Sequence, residues 1–519
     1  MLGIYSAAGL LFLLTYFILL PITRYFRDPK GLRRFQKLSP FAGITDLAFV
    51  YEAHRGFRSQ ALLEAHKHHP IVRIGPNSLS YSDPRAIRDI YGHGTPRSKD
   101  RFYSTLASTH SHLADVIDKP HHANKRKMLA GAYAIKNLER WEYKVSNLTR
   151  KMMTAFDARC TSPLSGARPA PEDLTIDFRH WTNMFTICAI ASIGLSEDLK
   201  FLENGNDLVT SESPDGSTRQ VPFRECLFSM AWATSNLVWA YDYYSTLVRL
   251  SKLFSSRYRK CWRLTKDWDG IVYNRVTTRM KRYEAGEKLD DFFSAMMNDK
   301  SGHPNMLEMG EIVADTSIMM NAGSDTTGIA LNNVMYLLLK KPATLAKLRL
   351  ELDSTLDNEE DVVPPYDKVK HLPYLRAVLD ESLRILTPVS FGLPRRTPPE
   401  GMRILDDWIP GDTSVSISAY ILHHNPAVFP EPGVFKPERW LGDAGRDLQS
   451  NFIAFSTGAR GCIGRNISYL EQSVLLACLV RRYEFALPHP KWEPTRRENT
   501  TLSPGPMWLK IWRRSDVKL

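Results

Sequence analysis

The alternation of apolar and polar positions predicts long helices with a few short strands. Helical periodicity dominates from about residue 45 onward, and its longest stretch runs from 307 to 340. At 1.5 Å per residue, a helix of that length would be about 50 Å long and would cross a whole domain. Residues 71–74 and 79–81 read as strands around a Gly-Pro-Asn turn, which predicts a hairpin. We therefore expect one large domain that is mainly α with a small β-sheet component.

The N-terminal segment differs from the rest of the chain. Its first 23 residues carry no charged side chain, and a run of that length is about enough to cross a bilayer core. Basic residues follow from Arg24 onward, which by the positive-inside rule places the bulk of the protein in the cytosol. A cleaved signal peptide and a buried core helix are the alternatives. We expect a transmembrane anchor at 1–23, a basic hinge containing Pro and Gly at 24–44, and a cytosolic domain at 45–519.

Charge and cysteine content narrow the class of protein. Lysine and arginine exceed aspartate and glutamate by 68 to 56, a net charge of +12. This excess suits an anionic membrane surface or an acidic partner protein; no basic low-complexity tail is present, so nucleic acid is not expected. The six cysteines form no close pair and no CxxC motif. A disulfide framework or a zinc site is therefore not expected, and a reducing compartment fits better.

One cysteine stands in the stretch FSTGARGCIG at 455–464, among three glycines and beside Arg460. Glycines let the backbone approach a large flat cofactor without a β-carbon clash. The residues after Cys462 read as a helix, whose N-terminal N–H groups stabilise a negative charge on the sulfur. Arg460 suits a carboxylate of the cofactor, and Phe455 is placed to pack on its face. The alternative is a glycine-rich turn that holds an inert cysteine.

The pattern F-x-x-G-x-R-x-C-x-G resembles the haem-binding signature of the cytochrome P450 superfamily at every fixed position. The resemblance implies the P450 fold, with haem b between a long central helix and the helix after the cysteine loop. It also implies that Cys462 is the axial thiolate ligand of the haem iron, the ligation that favours O–O cleavage.

The long helix contains AGSDTT at 322–327, which matches the family motif that lies over the haem. The small residue Gly323 lets a neighbour approach the helix closely, so we expect it at the cofactor. The resemblance implies that Asp325 and Thr326 deliver protons during oxygen activation. The chemistry requires such a relay, because cleavage of O–O releases one oxygen as water and consumes two protons.

Two further motifs follow in the family's order, ESLR at 381–384 and PERW at 437–440. Glu381 and Arg384 share one helix face, since residues three apart on a helix are neighbours. The resemblance implies that they join Arg439 in a structural triad that supports the haem pocket and takes no part in catalysis.

Basic residues elsewhere are candidates for the haem propionates. HANKR at 122–126 resembles the family's propionate-binding helix in its histidine form, which gives His122 and Arg126. In GLPRR, Arg395 is the next candidate, with Arg396 as the competing choice. A solvated surface charge is the alternative for each. Histidine clusters along the chain lack HExxH or an acid at ligand spacing, so a non-haem metal is not expected.

The resemblance predicts a haem-thiolate monooxygenase that inserts one atom of O₂ into a hydrophobic small molecule. Only 57 residues follow Cys462 and no GxGxxG motif is present, so no flavin domain is expected. NADPH would then act indirectly, through a membrane-bound NADPH-cytochrome P450 reductase. The expected location is the endoplasmic reticulum membrane, with the catalytic domain in the cytosol.

The sequence constrains the substrate less than it constrains the reaction. The family's pocket positions are here apolar and aromatic, which fits a hydrophobic small molecule. Stretches such as FGLPRRTPPEG resemble filamentous-fungal members, including benzoate 4-hydroxylases. No lining position offers an obvious arginine to a carboxylate. We therefore expect a tailoring step of secondary-metabolite biosynthesis first, hydroxylation of a simple aromatic acid second, and an isomerase or dehydratase third. The expected pocket residues are Phe102, Tyr103, Leu106, Met319, Met320, Val389 and Phe391.

Overall fold

Helices make up most of the computed structural model, which describes residues 11, 14–106, 110–299, 301–356 and 362–515. A π-helical turn at Thr15–Leu19 leads into the first α-helix. The α-helices are α1 Leu20–Arg27, α2 Leu47–Arg55, α3 Arg58–His66, α4 Ala86–Tyr91, α5 Lys119–Ala130, α6 Ile135–Arg140, α7 Glu142–Asp157, α8 Phe178–Leu195, α9 Phe201–Asn204, α10 Phe223–Leu237, α11 Tyr244–Phe254, α12 Ser256–Glu284, α13 Phe292–Met297, α14 Met309–Lys340, α15 Pro342–Thr355, α16 Tyr366–Val369, α17 Pro373–Ile385, α18 Ala419–His423, α19 Gly442–Leu448 and α20 Arg465–Arg482.

The strands are short and form a minor part of the fold. They are β1 Gln36–Lys37, β2 Ile71–Gly75, β3 Ser78–Tyr81, β4 Ser98–Lys99, β5 Ile176–Asp177, β6 Leu208–Glu212, β7 Thr218–Pro222, β8 Arg395–Arg396, β9 Met402–Ile404, β10 Asp407–Ile409, β11 Ser414–Ile417, β12 Tyr483–Ala486, β13 Arg496–Glu498, β14 Leu502–Pro504 and β15 Trp508–Arg513. The largest sheet has the order β1-β2-β3-β11-β8-β4. β2 and β3 pair antiparallel, so the predicted hairpin is confirmed.

The central element is α14, a helix of 32 residues whose observed bounds differ by two residues from the predicted 307–340. It packs against α8, α12, α17 and α20. Apolar side chains such as Met320, Val334 and Leu338 are fully buried there. A helix that is apolar on nearly every face needs neighbours on nearly every face, which explains its central place. The mainly α prediction is confirmed.

The N-terminal segment is only partly described. Within the described residues, no helix is both long and apolar enough to cross a bilayer. The anchor predicted at 1–23 lies largely outside them, because residues 1–10, 12 and 13 are not described. The ring of Phe17 lies 5.8 Å from that of Tyr243, so the start of the described chain sits beside the 3₁₀ turn Val238–Tyr243.

Candidate functional site

Cys462 lies in a tight loop between the 3₁₀ turn Gly458–Arg460 and the start of α20. The loop closes through the Cys462 N–H, which donates to the carbonyl of Phe455 at 2.8 Å. Gly458 has φ +69°, and a β-carbon there would lie 1.9 Å from the carbonyl oxygen of Tyr91. Only glycine meets both demands, so this position ties the loop to α4.

The Cys462 sulfur lies at the N-terminus of α20. Burial raises the pKa of the thiol, whereas the N–H groups of Gly464 and Arg465 and the guanidinium groups of Arg126 and Arg465 act to lower it. The side chain is nevertheless exposed, although protein surrounds it. The sulfur therefore faces an internal cavity, with N–H donors directed at it from behind.

The AGSDTT motif lies in the middle of α14. Ala322 is exposed and Thr326 is half-buried, although most residues around them are buried. Thr326 Oγ1 donates to the Ala322 carbonyl at 2.8 Å, a bond back along the helix. The adjacent Thr327 donates to Ser468 Oγ on α20 at 3.0 Å, which holds this turn beside the helix that begins after Cys462.

Asp325 turns away from Thr326. Its carboxylate accepts from Arg179 Nη2 on α8 at 2.8 Å and from Thr501 Oγ1 at 2.7 Å. The two predicted relay residues are thus adjacent in sequence but point to different sides of α14. Sequence reasoning missed Arg179 and Thr501, which come from distant parts of the chain.

Gly323 lies where α14 packs closely against α8. A β-carbon at this position would lie 2.7 Å from Cγ1 of Ile190 on α8. The close approach that glycine permits is therefore that of two helices. The cofactor contact of Gly323 stays a prediction, and Ala322 is the exposed small residue of the pair.

A cluster of cations lies beside the cysteine loop. Arg126 Nη1 donates to the Gly461 carbonyl at 2.7 Å, and Arg460 donates to the carbonyls of Val116 and Ile117 at 2.7 and 3.1 Å. Arg395 donates to Tyr103 Oη at 3.1 Å. Within the described residues, no salt bridge joins any of these three arginines to a carboxylate. The positive charges of these three arginines are therefore not neutralised by a salt bridge, and they repel one another.

The pKa values show the mutual repulsion in this cluster. Burial and then Arg395 lower the pKa of Arg460 to about 10. Burial and then Arg460 lower the pKa of His122 to about 3, so its imidazole is neutral at physiological pH. Lys99, which sequence reasoning missed, joins the cluster: burial, Arg460 and Arg395 lower its pKa. A bound anionic group would stabilise the charged forms of these buried cations.

Arg396 differs from its neighbour Arg395. It pairs with Asp100 at 2.9 Å and with Asp412 at 3.0 Å. Because these carboxylates already match the charge of Arg396, Arg395 is the better placed of the two to bind an incoming anion.

Glu381 lies at the centre of an ion cluster in which it and Arg384 are fully buried. Both of its oxygens accept from Arg384 at 2.9 Å, and one also accepts from Arg439 Nε at 3.0 Å. The indole N–H of Trp440 and the backbone N–H of Lys436 complete the shell at 2.8 and 3.0 Å. The structure thus brings together the three residues of the predicted triad.

The cluster also holds the chain that leads into the cysteine loop. Arg384 Nη1 donates to the carbonyl of His423 at 2.7 Å, and the His423 ring accepts from the N–H of Ile453 at 3.0 Å. That ring stacks on Phe452 at 5.5 Å. Because Phe455 is only three residues further on, the position of the loop depends on Glu381 through a continuous set of buried contacts.

Aromatic side chains form the wall beside the cation cluster. Phe102, Tyr103 and Phe391, three of the expected pocket residues, pack in one apolar cluster with Trp239. Arg58 stands against this wall, 1% exposed, with its guanidinium 4.7 Å from the Trp239 ring and 5.0 Å from the Phe391 ring. Arg58 is buried behind these rings, so the expectation that no lining position offers an obvious arginine to a carboxylate stays a prediction. No motif marks Arg58, and the two carbonyls to which it donates, those of Glu498 and Asn499, are more than 400 residues away along the chain.

The chain is similar to known proteins over most of its length. The sequence model of the cytochrome P450 family matches residues 50–511. Cytochrome P450 monooxygenase hepC of Aspergillus oryzae is 28% identical over 91% of this chain and 91% of its own length. Benzoate 4-monooxygenase bphA of Aspergillus niger is 28% identical over 86% of each chain. Cytochrome P450 monooxygenase efuB of Hormonema carpetanum is 29% identical over 86% of this chain and 84% of its own.

The same family appears in the solved structures. The crystal structure of the cytochrome P450DA heme domain covers 88% of this chain and 94% of its own with a TM-score of 0.71, at 17% identity. That likeness establishes the fold, and the match over 50–511 extends from α2 to β15, across the cysteine loop, α14 and the buried ion cluster. The chain belongs to the cytochrome P450 family and is one of its monooxygenases.

Proposed function

We propose that Cys462 is the thiolate ligand of haem b and that the protein inserts one atom of O₂ into a hydrophobic organic substrate. The observation that carries the proposal is the cysteine that faces an internal cavity with the backbone N–H groups of α20 behind its sulfur. A thiolate in that position is stabilised by the helix N-terminus.

The residues around the cavity fit the cofactor. Ala322 on α14 leaves a face without bulk, as a planar ring requires. Arg126, Arg395 and Arg460 supply buried positive charge that no carboxylate in the described residues neutralises, as two propionates require. Neutral His122 adds a ring N–H donor. A thiolate-ligated haem supplies O–O cleavage, and the remaining tasks belong to this chain.

Thr326 and Asp325 have different tasks in the proposed relay. The Thr326 hydroxyl lies on the half-buried turn with Ala322 and exchanges a proton at the cavity side. The Asp325 carboxylate is held one residue away by Arg179 and Thr501, on the other side of the helix. Arg179 and Thr501 act as positioning residues, since they fix the direction of that carboxylate.

Replacing Thr326 with alanine should leave haem binding intact and divert reducing equivalents to peroxide. The side chain is not part of the core, so the fold tolerates its loss, whereas proton delivery typically contributes 10²–10⁴-fold to rate. The measurement is the ratio of peroxide formed to NADPH consumed in the reductase-coupled reaction. The matched control is Thr154→Ala, an exposed threonine with the same bond back along its helix. Coupling unchanged from wild type would contradict the relay role.

Replacing Arg395 with glutamine should weaken haem retention more than the same change at Arg396. Loss of one charge-assisted hydrogen bond is worth about 1.5–3 kcal/mol, which corresponds to roughly tenfold or more in haem affinity. The measurement is the rate of haem transfer to excess apomyoglobin. Arg396→Gln should instead lower the free energy of unfolding, because it leaves Asp100 buried without its cation. The reverse order of haem loss would assign the propionate contact to Arg396.

Fungal relatives support the choice of substrate class. The matched proteins include several monooxygenases and one benzoate 4-monooxygenase. We propose a tailoring oxidation in secondary-metabolite biosynthesis as the first choice and hydroxylation of a simple aromatic acid as the second. An isomerase or dehydratase is disfavoured, because the acid–alcohol pair Asp325-Thr326 would have little use without oxygen activation.

A single-pass anchor in the endoplasmic reticulum membrane and an NADPH-cytochrome P450 reductase complete the proposal. Residues 1–23 are uncharged, basic residues follow, and the net charge of +12 suits an acidic electron donor.

Deleting residues 1–23 should release the protein from membranes, as measured by flotation of the full and shortened chains with microsomes. Persistent association would contradict a sole anchor and point to a second apolar surface. Leu250, Leu253 and Phe254 at the end of α11, which are 45%, 65% and 78% exposed, are where that surface would be sought.

A further inference from the structure

Segment 110–118 is irregular and leads directly into α5. Apart from a turn at 113–115, these residues form no helix or strand. Buried backbone N–H and C=O groups outside regular structure need partners from elsewhere in the chain. The position of segment 110–118 therefore depends on the side chains that bind its backbone.

Asp315 binds one side of the segment. It lies on α14, ten residues before Asp325, which is about 15 Å along the helix. One carboxylate oxygen accepts from the N–H of Leu113 at 2.9 Å, and the other accepts from Lys125 Nζ on α5 at 2.7 Å. Asp315 and Lys125 are each 4% exposed. Charge-assisted hydrogen bonds in a buried site are strong, so this one carboxylate holds both the segment and α5 against α14.

His110 makes a second contact with α14, near the start of that helix. A β-carbon on Gly310 would lie 2.2 Å from Cε1 of His110, so the ring fits there only because residue 310 has no side chain. Nε2 of His110 lies 3.2 Å from a carboxylate oxygen of Glu308. Segment 110–118 is thus held against α14 at His110 and again at Leu113.

The later part of the segment binds Arg460 of the cysteine loop. The carbonyls of Val116 and Ile117 accept from the Arg460 guanidinium at 2.7 and 3.1 Å. Because a guanidinium is planar, two acceptors on its edge fix both its place and its plane. A continuous path therefore runs from Asp315 through the Leu113 N–H and the backbone of the segment to Arg460.

We propose that Asp315 is a positioning residue for the cofactor, because it holds the segment whose carbonyls place Arg460 for a haem propionate. The inference rests on the proposed function, in which Arg460 is one of the cations that meet the propionates. Asp315 acts through this path and need not touch the haem itself. Its loss should leave Arg460 present but no longer held in one orientation, and a group that is not preorganised binds more weakly.

The test is a double-mutant cycle on the holoenzyme, with the rate of haem transfer to excess apomyoglobin as the readout. Asp315→Ala should release haem about tenfold faster than wild type, since a hydrogen bond to a charged group is worth roughly that factor. In an Arg460→Gln background the same change should alter the rate less than about twofold, because residues that act through one another have non-additive effects.

Hydrogen exchange of the peptide that contains 110–118 is measured on the same samples. It should be faster in Asp315→Ala, because the Leu113 N–H loses its acceptor, whereas peptides from α20 should be unchanged. If Asp315→Ala does not fold, Gly310→Ala takes its place in the cycle, since the added methyl displaces the His110 ring and removes no charge.

Asp291→Ala is the matched control. This carboxylate, in a residue that is 2% exposed, likewise accepts from one cation and one backbone N–H, those of Arg279 at 2.9 Å and Ser294 at 3.0 Å. These partners lie on α12 and α13. The control should therefore lower the free energy of unfolding without changing exchange in segment 110–118, and its effect on haem transfer should be the same factor in both backgrounds.

The same factor for Asp315→Ala in both backgrounds would overturn the proposal and leave Asp315 a residue of general stability. Unchanged haem transfer in Asp315→Ala would overturn it as well. If Arg460→Gln alone releases haem no faster than wild type, Arg460 does not hold a propionate and the inference is rejected with that assignment. The reduced, CO-bound spectrum of wild type is recorded in parallel. An unshifted band rejects the proposed function, whereas a normal spectrum with additive effects rejects this inference alone.

Discussion

Cys462→Ala is expected to purify folded and almost free of haem. The sulfur lies at the α20 N-terminus and is exposed, with the N–H groups of Gly464 and Arg465 directed at it. Propionate contacts alone would hold haem weakly, because they supply hydrogen bonds but no bond to the iron. We expect haem content to fall by at least about tenfold, since a single lost interaction of 1.4 kcal/mol already has that effect.

The measurement is the haem-to-protein ratio by pyridine haemochromogen, with circular dichroism to verify folding. Cys478→Ala is the matched control, because this cysteine is on the same helix α20 but is buried in the core. It should retain full haem. A normal haem content in Cys462→Ala would remove the basis of the proposed function.

Glu381→Ala is expected to have the largest effect on stability. Its carboxylate is 0% exposed and accepts from Arg384, Arg439, Trp440 and the Lys436 N–H, and Arg384 is also 0% exposed. Removal of one partner of a buried ion pair leaves an uncompensated charge, which typically costs about 3–5 kcal/mol. The loop that carries Cys462 should loosen as well, because His423 and Ile453 depend on Arg384.

The control for that substitution is Glu64→Ala. Glu64 pairs with Lys67 at the same spacing of three residues and at 2.7 Å, but both side chains are more than half exposed. An exposed pair of this kind is worth about 0–1 kcal/mol. Urea denaturation followed by circular dichroism would compare the two variants, and haem content would be read alongside. If both variants unfolded at the same urea concentration as wild type, the buried cluster would not be a stabilising element.

Much of the fold was predictable because its signals are local. The uninterrupted helical pattern gave α14 within two residues at its start, and the strands around Gly75-Pro76-Asn77 gave the β2–β3 hairpin. The cysteine loop was predictable for the same reason, since its glycines, its arginine and the following helix fall within about twenty residues. Each of these elements follows from the pattern of neighbouring residues, so the sequence alone could predict it.

What the sequence did not predict depends on contacts between distant segments. Asp325 points toward Arg179 and Thr501, which are 146 and 176 residues away, so the direction of its side chain is not a property of AGSDTT. The close approach of Ile190 to Gly323 joins two helices that are more than 100 residues apart along the chain. No motif marks Arg58, which is buried by distant segments that include Trp239 and Phe391.

The central claim is that Cys462 binds haem iron as a thiolate, and the absorption spectrum of the reduced protein under carbon monoxide tests it most directly. We expect a strongly red-shifted Soret band in wild type, because thiolate ligation of the iron by Cys462 would shift the band in that way. An unshifted band would mean that the sulfur is protonated, displaced or not bound, and would contradict the assignment of Cys462.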